Sequence, residues 1–186
     1  IFNLCLATLD HGDEVIIPAP YWVSYTDIAQ LTGAKPVVVT CGIDQEFKML
    51  PSQLEEAISE NTKLVLINSP SNPTGSVYSR DELKELAKVL LSHPNVFIGT
   101  DDIYEKINLN DDPFYNIVMV EPRLKDRVII LSGVSKAYSM TGWRIGYAAG
   151  PSSIIKAMGI LQSQSTSNPT SISQVAAEAA LNSDQS

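Results

Sequence analysis

A chain of 186 residues, 44% hydrophobic and 18% charged, carries enough apolar material for one domain with a substantial core. Its net charge of −8 argues against nucleic acid or an anionic membrane surface as a partner. The two cysteines, Cys5 and Cys41, lack metal-ligand spacing, and no apolar run reaches the ~18 residues of a membrane span, so reduced thiols and no transmembrane segment are expected.

In chain order, residues 1–9 read as an apolar helix and residues 10–14 as a polar turn. Val15-Ile16-Ile17-Pro18 is a short strand ended by proline, followed by Ala19-Pro20-Tyr21-Trp22 and a helix over 23–31 closed by Gly33. A second strand covers 35–40, and a helix with proline in its first turn starts at Pro51. The third strand, 63–68, runs into Ser69-Pro70-Ser71-Asn72-Pro73-Thr74-Gly75. Ser79 and Glu82 form a capping box for the next helix, whose Leu83, Leu86, Ala87 and Leu90 recur at core-facing spacing. Strands follow at 95–100, running into Asp101-Asp102, at 127–131 and at 144–149, and helices begin at Ser152 and Ser171. Short, uniformly apolar strands alternating with helices predict an α/β fold with a mainly parallel sheet in three layers, α-β-α.

Lys136 stands just past the strand over 127–131, where open α/β sheets place their ligands. Arg144 follows eight residues later, so one cation is available for chemistry and one for holding an anion. A Ser–Lys hydrolase would need serine three residues before the lysine, and that position is Gly133. Neither GxGxxG nor GxxxxGK[ST] occurs, which weighs against dinucleotides and P-loop nucleotides.

The segment Gly133-Val134-Ser135-Lys136, with Ser139-Met140, Gly142 and Arg144-Ile145-Gly146, resembles the cofactor-attachment segment of the class I/II pyridoxal-phosphate aminotransferases, closest to the aspartate-aminotransferase-like branch. The likeness extends from about Cys5 to Ala180. It implies the large domain of a fold-type I enzyme and pyridoxal 5′-phosphate as cofactor. By the same resemblance, Lys136 forms the Schiff base and then serves as general base and acid, and Arg144 binds the phosphate. Ser132 or Ser135 adds a hydroxyl contact or serves the turn.

Asp101, three residues before Tyr104 as in the family pattern, is expected to pair with the protonated ring nitrogen, although relatives commonly have Asp-Glu where this chain has Asp101-Asp102. Tyr104 and Asn72 match the two donors to the cofactor's phenolic oxygen, and Trp22 is expected to stack on the ring. Tyr21 and Tyr25 read as core or interface residues, and His11 and His93 as turn residues without chemistry. The peptide bonds before Pro20 and Pro73 are expected to be cis.

The resemblance further implies amino-acid and 2-oxo-acid substrates, aspartate being the best guess for the donor, and a cytoplasmic homodimer. A chain opening at Ile1 inside an apolar helix and ending without a closing element reads as an internal piece of a longer protein, lacking an N-terminal segment and a C-terminal small domain. The same scaffold also serves aromatic aminotransferases and β-lyases, and a pyridoxal-binding transcription regulator uses a similar domain joined to a basic DNA-binding module.

Overall fold

Strands that are apolar on both faces need cover on both, and the fold supplies it. The computed structural model describes residues 1–107, 109 and 113–185. Among these, β1 (Glu14–Ala19), β2 (Lys35–Thr40), β3 (Thr62–Asn68), β4 (Phe97–Asp101), β5 (Val128–Gly133) and β6 (Gly146–Ala149) make one sheet in the order β2-β1-β3-β4-β5-β6. The first five run parallel, and β6 pairs antiparallel with β5, Gly133 opposite Gly146 and Ile130 opposite Ala149.

The strand period of two divides the core between the faces. Ile16, Val65, Ile67, Ile98 and Val128 pack against α3 (Pro51–Ala57), α4 (Arg80–Ser92) and α5 (Ile117–Val120), through Leu54, Leu83, Leu86, Leu90 and Ile117. Val15, Ile17, Leu64, Leu66, Ile129 and Leu131 pack the other way, onto α1 (Phe2–Thr8), α2 (Ser24–Leu31) and α6 (Ser152–Ser165). Each fully buried Leu or Ile contributes about 1.5–3 kcal/mol of transfer free energy. Gly99 permits the second layer to approach closely: a Cβ there would lie 2.9 Å from the side chains of Leu4 and Leu66. A last helix, α7 (Ser171–Asn182), sends Ala177 against Val134 and Ile145.

The chain runs from β1 outward to β2 and returns to β3 on the other side of β1. The loops after β1 and β3 consequently lead to helices on opposite faces, α2 and α4, and a crevice opens between them at the carboxyl ends of the strands.

The capping box of α4 is present: Ser79 Oγ accepts from Glu82 N at 3.3 Å, and Glu82 Oε2 accepts from Ser79 N at 2.7 Å. Its far end is closed by a residue with no local signature. Arg127 donates to the carbonyls of Leu90 in the last turn, of His93 at the cap and of Val96 just before β4, tying the helix end to the strand that follows.

The strand expected over 144–149 starts only at Gly146, because Arg144 has φ 55°, in the left-handed region where no strand can pass. The short α5 and the 3₁₀ turns Ile43–Gln45, Pro122–Leu124 and Thr141–Trp143 carry no periodic signal and were not anticipated. The peptide bonds before Pro20 and Pro73 are cis as expected, and that before Pro70 is cis as well.

Candidate functional site

A cleft of about 590 Å³ lies at the carboxyl ends of β1, β3, β4 and β5. Each site residue named from the sequence lines it: Trp22, Asn72, Asp101, Tyr104, Ser135, Lys136 and Arg144. They come from four separate strand ends, so parallel pairing brings together groups far apart in the chain.

β5 ends at Gly133, where any Cβ would sit 2.8 Å from the carbonyl oxygen of Ile145. The absence of a side chain lets the return segment pack against the strand end, and Lys136 and Arg144 then face one cleft. Lys136 Nζ stands 5.8 Å from the centre of the Tyr104 ring. Arg144, held by its left-handed backbone, donates from Nη1 to the carbonyl of Thr141 at 2.8 Å and remains exposed. Ser139 also has positive φ, at 53°, so the lysine loop is bent on both sides of the 3₁₀ turn.

Asp101 is the last residue of β4 and is only 9% exposed. Burial pushes its carboxyl above the usual carboxylate range, opposed by a hydrogen bond from Tyr25 and one from the backbone of Ile103. Tyr25 Oη donates to Oδ2 at 2.6 Å, while Ile103 N approaches Oδ1 at 3.4 Å. Its neighbour serves a different purpose. Asp102 accepts from Thr100 Oγ1 at 2.5 Å and from Asn116 Nδ2 at 2.7 Å, and Asn116 Oδ1 in turn caps α5 through Met119 N. Asp101 lines the cleft and Asp102 ties β4 to α5.

Asn72 is placed from β3. Asn68, the last residue of that strand, accepts from Asn72 N through Oδ1 at 2.8 Å and donates through Nδ2 to the Asp101 carbonyl at 2.8 Å. Trp22 precedes α2 and meets Tyr25 edge-to-face, ring centres 5.6 Å apart at 89°. A flat aromatic face, a buried carboxylate, an amide, a phenol, a primary amine and a guanidinium thus surround one space. That set suits a planar ring bearing a protonated nitrogen, an oxygen substituent, an aldehyde and an anionic arm.

The family model for aminotransferase class I and II matches residues 1–186. The chain belongs to this family.

Among curated relatives of this aminotransferase-family chain, the aspartate/prephenate aminotransferase of Nitrosomonas europaea is 61% identical over all of this chain and 47% of its own length. The probable aspartate/prephenate aminotransferase of Rickettsia prowazekii is 57% identical, again over all of this chain and 46% of the relative. The crystal structure of the aspartate aminotransferase from Rhizobium meliloti superposes with a TM-score of 0.97 at 51% identity, covering 99% of this chain and 46% of that one. The chain spans about half the length of the curated relatives it matches.

Two residues beside the family motif escaped the sequence reading. Tyr25, taken as core or interface, is buried but spends its hydroxyl on Asp101. Asn68 read as the end of a strand, yet it connects the loops of Asn72 and Asp101. The available signals were a tyrosine one helical turn beyond Trp22, and an asparagine at a strand's carboxyl end.

Proposed function

We propose that residues 1–186 form the large, cofactor-binding domain of a longer pyridoxal-phosphate-dependent aminotransferase that transfers the amino group of aspartate to a 2-oxo acid. The observation that carries this reading is the convergence of Lys136, Asp101, Asn72, Tyr104, Arg144 and Trp22 on one cleft. Bound there, pyridoxal phosphate supplies an aldehyde for amines and a cationic ring that stabilises the electron pair left when an α-proton departs.

The chain's own groups divide the remaining work. Arg144 holds the phosphate by its two-pronged guanidinium, and Ser135 adds a hydroxyl. Trp22 fixes the plane of the ring, and Asp101 supplies the negative charge for the ring N–H. Asn72 and Tyr104 donate hydrogen bonds to the phenolic oxygen, favouring its anion. With the cofactor bound, Lys136 Nζ would take the proton from the substrate's α-carbon and deliver it to the cofactor carbon that bore the aldehyde. Its place beside the Tyr104 ring keeps that amine within the cleft.

Aspartate as donor is supported by relatives named for aspartate, and the names that add prephenate suggest a second 2-oxo acid as acceptor. The working unit is a cytoplasmic homodimer by the same resemblance. Ile160, Ile172, Val175 and Leu181 on α6 and α7 are well exposed, consistent with further polypeptide covering these helices.

The test is amino transfer by the full-length protein, from aspartate to 2-oxoglutarate and to prephenate, compared with Lys136→Ala. Aspartate should be consumed beyond one equivalent per site only when an acceptor is present, and Lys136→Ala should lose at least ~10²–10⁴-fold in rate while still binding the cofactor reversibly. Unchanged turnover by Lys136→Ala would end this reading.

A further inference from the structure

We propose that Tyr25 is a positioning residue for the cofactor's ring nitrogen, acting through Asp101: its hydroxyl holds Oδ2 so that the carboxylate presents Oδ1 to the ring. This rests on the reading of the cleft as a pyridoxal-phosphate site.

The geometry is specific. Tyr25 is 3% exposed, lies 76 residues from Asp101 in sequence, and places Oη 2.6 Å from Oδ2. A buried phenol needs an acceptor, and this one has taken a carboxylate, which makes the bond charge-assisted and short. Without it, the burial of Asp101 would favour the neutral acid, and a neutral acid offers a cationic ring nitrogen no counter-charge. The other contact to the carboxylate from its own strand end, Ile103 N at 3.4 Å, is too long to do the same.

Two further features make the arrangement more than a satisfied core tyrosine. Trp22 stands one helical turn before Tyr25 with its ring edge-on to the phenol, so the aromatic platform and the carboxylate's orienter are set by the same stretch of chain. Both line the cleft, together with Lys136 and Arg144 from the loop after β5 and Tyr104 after β4. Asp102, the adjacent carboxylate, is engaged by Thr100 and Asn116 and cannot substitute.

The experiment uses the full-length protein stripped of cofactor. Wild type and Tyr25→Phe are titrated, by quenching of tryptophan fluorescence, with pyridoxal phosphate and with its carbocyclic analogue in which carbon replaces the ring nitrogen. Loss of one hydrogen bond to a charged group should weaken pyridoxal phosphate on the order of tenfold and leave the analogue unchanged. Equal weakening of both ligands would mean that Tyr25 only packs the site, and no weakening of either would remove its role; each overturns the proposal. Failure of wild type to bind pyridoxal phosphate would instead overturn the cofactor reading, and this inference with it. In an Asp101→Asn background the same Tyr25→Phe change should alter affinity by less than about twofold, because the coupling partner is gone. This second comparison leaves no buried carboxylate unpaired, so it stands even if the single variant folds poorly, and a tenfold loss there would refute the coupling.

Discussion

The side-chain amide of Asn68 donates to the main-chain carbonyl of Asp101 at 2.8 Å, joining the carboxyl ends of β3 and β4. Its carbonyl end accepts from the backbone of Asn72, so one side chain sets the distance between the cleft-lining acid and the loop that bears Asn72. Asn68→Ala should therefore weaken cofactor binding by about three- to tenfold in addition to costing roughly 1 kcal/mol of stability. Asn68→Asp, which keeps the acceptor but loses the donor, should be the more damaging of the two in cofactor titrations. Wild-type affinity in both variants would show that the β3 and β4 ends are placed by the sheet alone.

The two adjacent aspartates should separate cleanly under mutation. Asp101→Ala should reduce the single-turnover rate of amino transfer by orders of magnitude, at a stability cost of about 1 kcal/mol or more from the stranded Tyr25 hydroxyl. Asp102→Ala should keep most of that rate yet destabilise the protein by about 2 kcal/mol or more, because it strands the Thr100 hydroxyl and the Asn116 amide. Rate measurements paired with urea unfolding decide the matter, and equal rate losses would show that the wrong acid has been assigned to the ring.

Asp102 also predicts a pH dependence. Burial pushes its carboxyl up to about 6 from 3.8, against the pull of its hydrogen bonds with Thr100 and Asn116. A folded-state value above the unfolded one means that the native state binds the proton more tightly. The associated stabilisation is complete below the unfolded value near 3.8 and is lost as pH rises through about 6. Glu14 and Glu82, whose carboxyls are held low by hydrogen bonds and lysines, act with the opposite sign, so the contribution must be isolated by difference. Between pH 4 and 7, wild type should lose on the order of 3 kcal/mol relative to Asp102→Asn. Parallel stability curves for the two proteins would contradict this.

Arg127 is the clearest case of a surface-looking cation with a structural task. Its guanidinium donates to the carbonyls of Leu90 and His93 at the end of α4 and of Val96 just before β4. Arg127→Ala should cost about 2–3 kcal/mol, and Arg127→Lys should recover only part, since one ammonium cannot reach three carbonyls in the same geometry. Thermal unfolding of the two variants measures the difference, and equal midpoints for Arg127→Lys and wild type would argue against the fork.

From the sequence alone, the layered architecture was legible because it depends on local rules, and most of the cleft because its motifs resemble those of a known family. Apolar runs of strand length, the capping box at Ser79 and Glu82, and helical spacing of Leu83, Leu86 and Leu90 dictate their elements within a few residues. Lys136 and Asp101 stand out because each lies at or just past a strand's carboxyl end, and Asn72 and Arg144 because they match the family's motifs. What only the tertiary structure decided was which group touches which. Tyr25 and Asp101, 76 residues apart, meet because α2 is folded back over β1 while β4 lies beyond β3. Arg127 finds Leu90 37 residues upstream for the same kind of reason. Local periodicity states that a side chain is buried or capping-competent but carries no information on its distant partner. The left-handed backbone of Arg144 was likewise invisible, since no local pattern marks a non-glycine residue for positive φ. Pattern specifies the elements, and long-range packing then chooses the hydrogen-bond partners that tune a buried carboxylate.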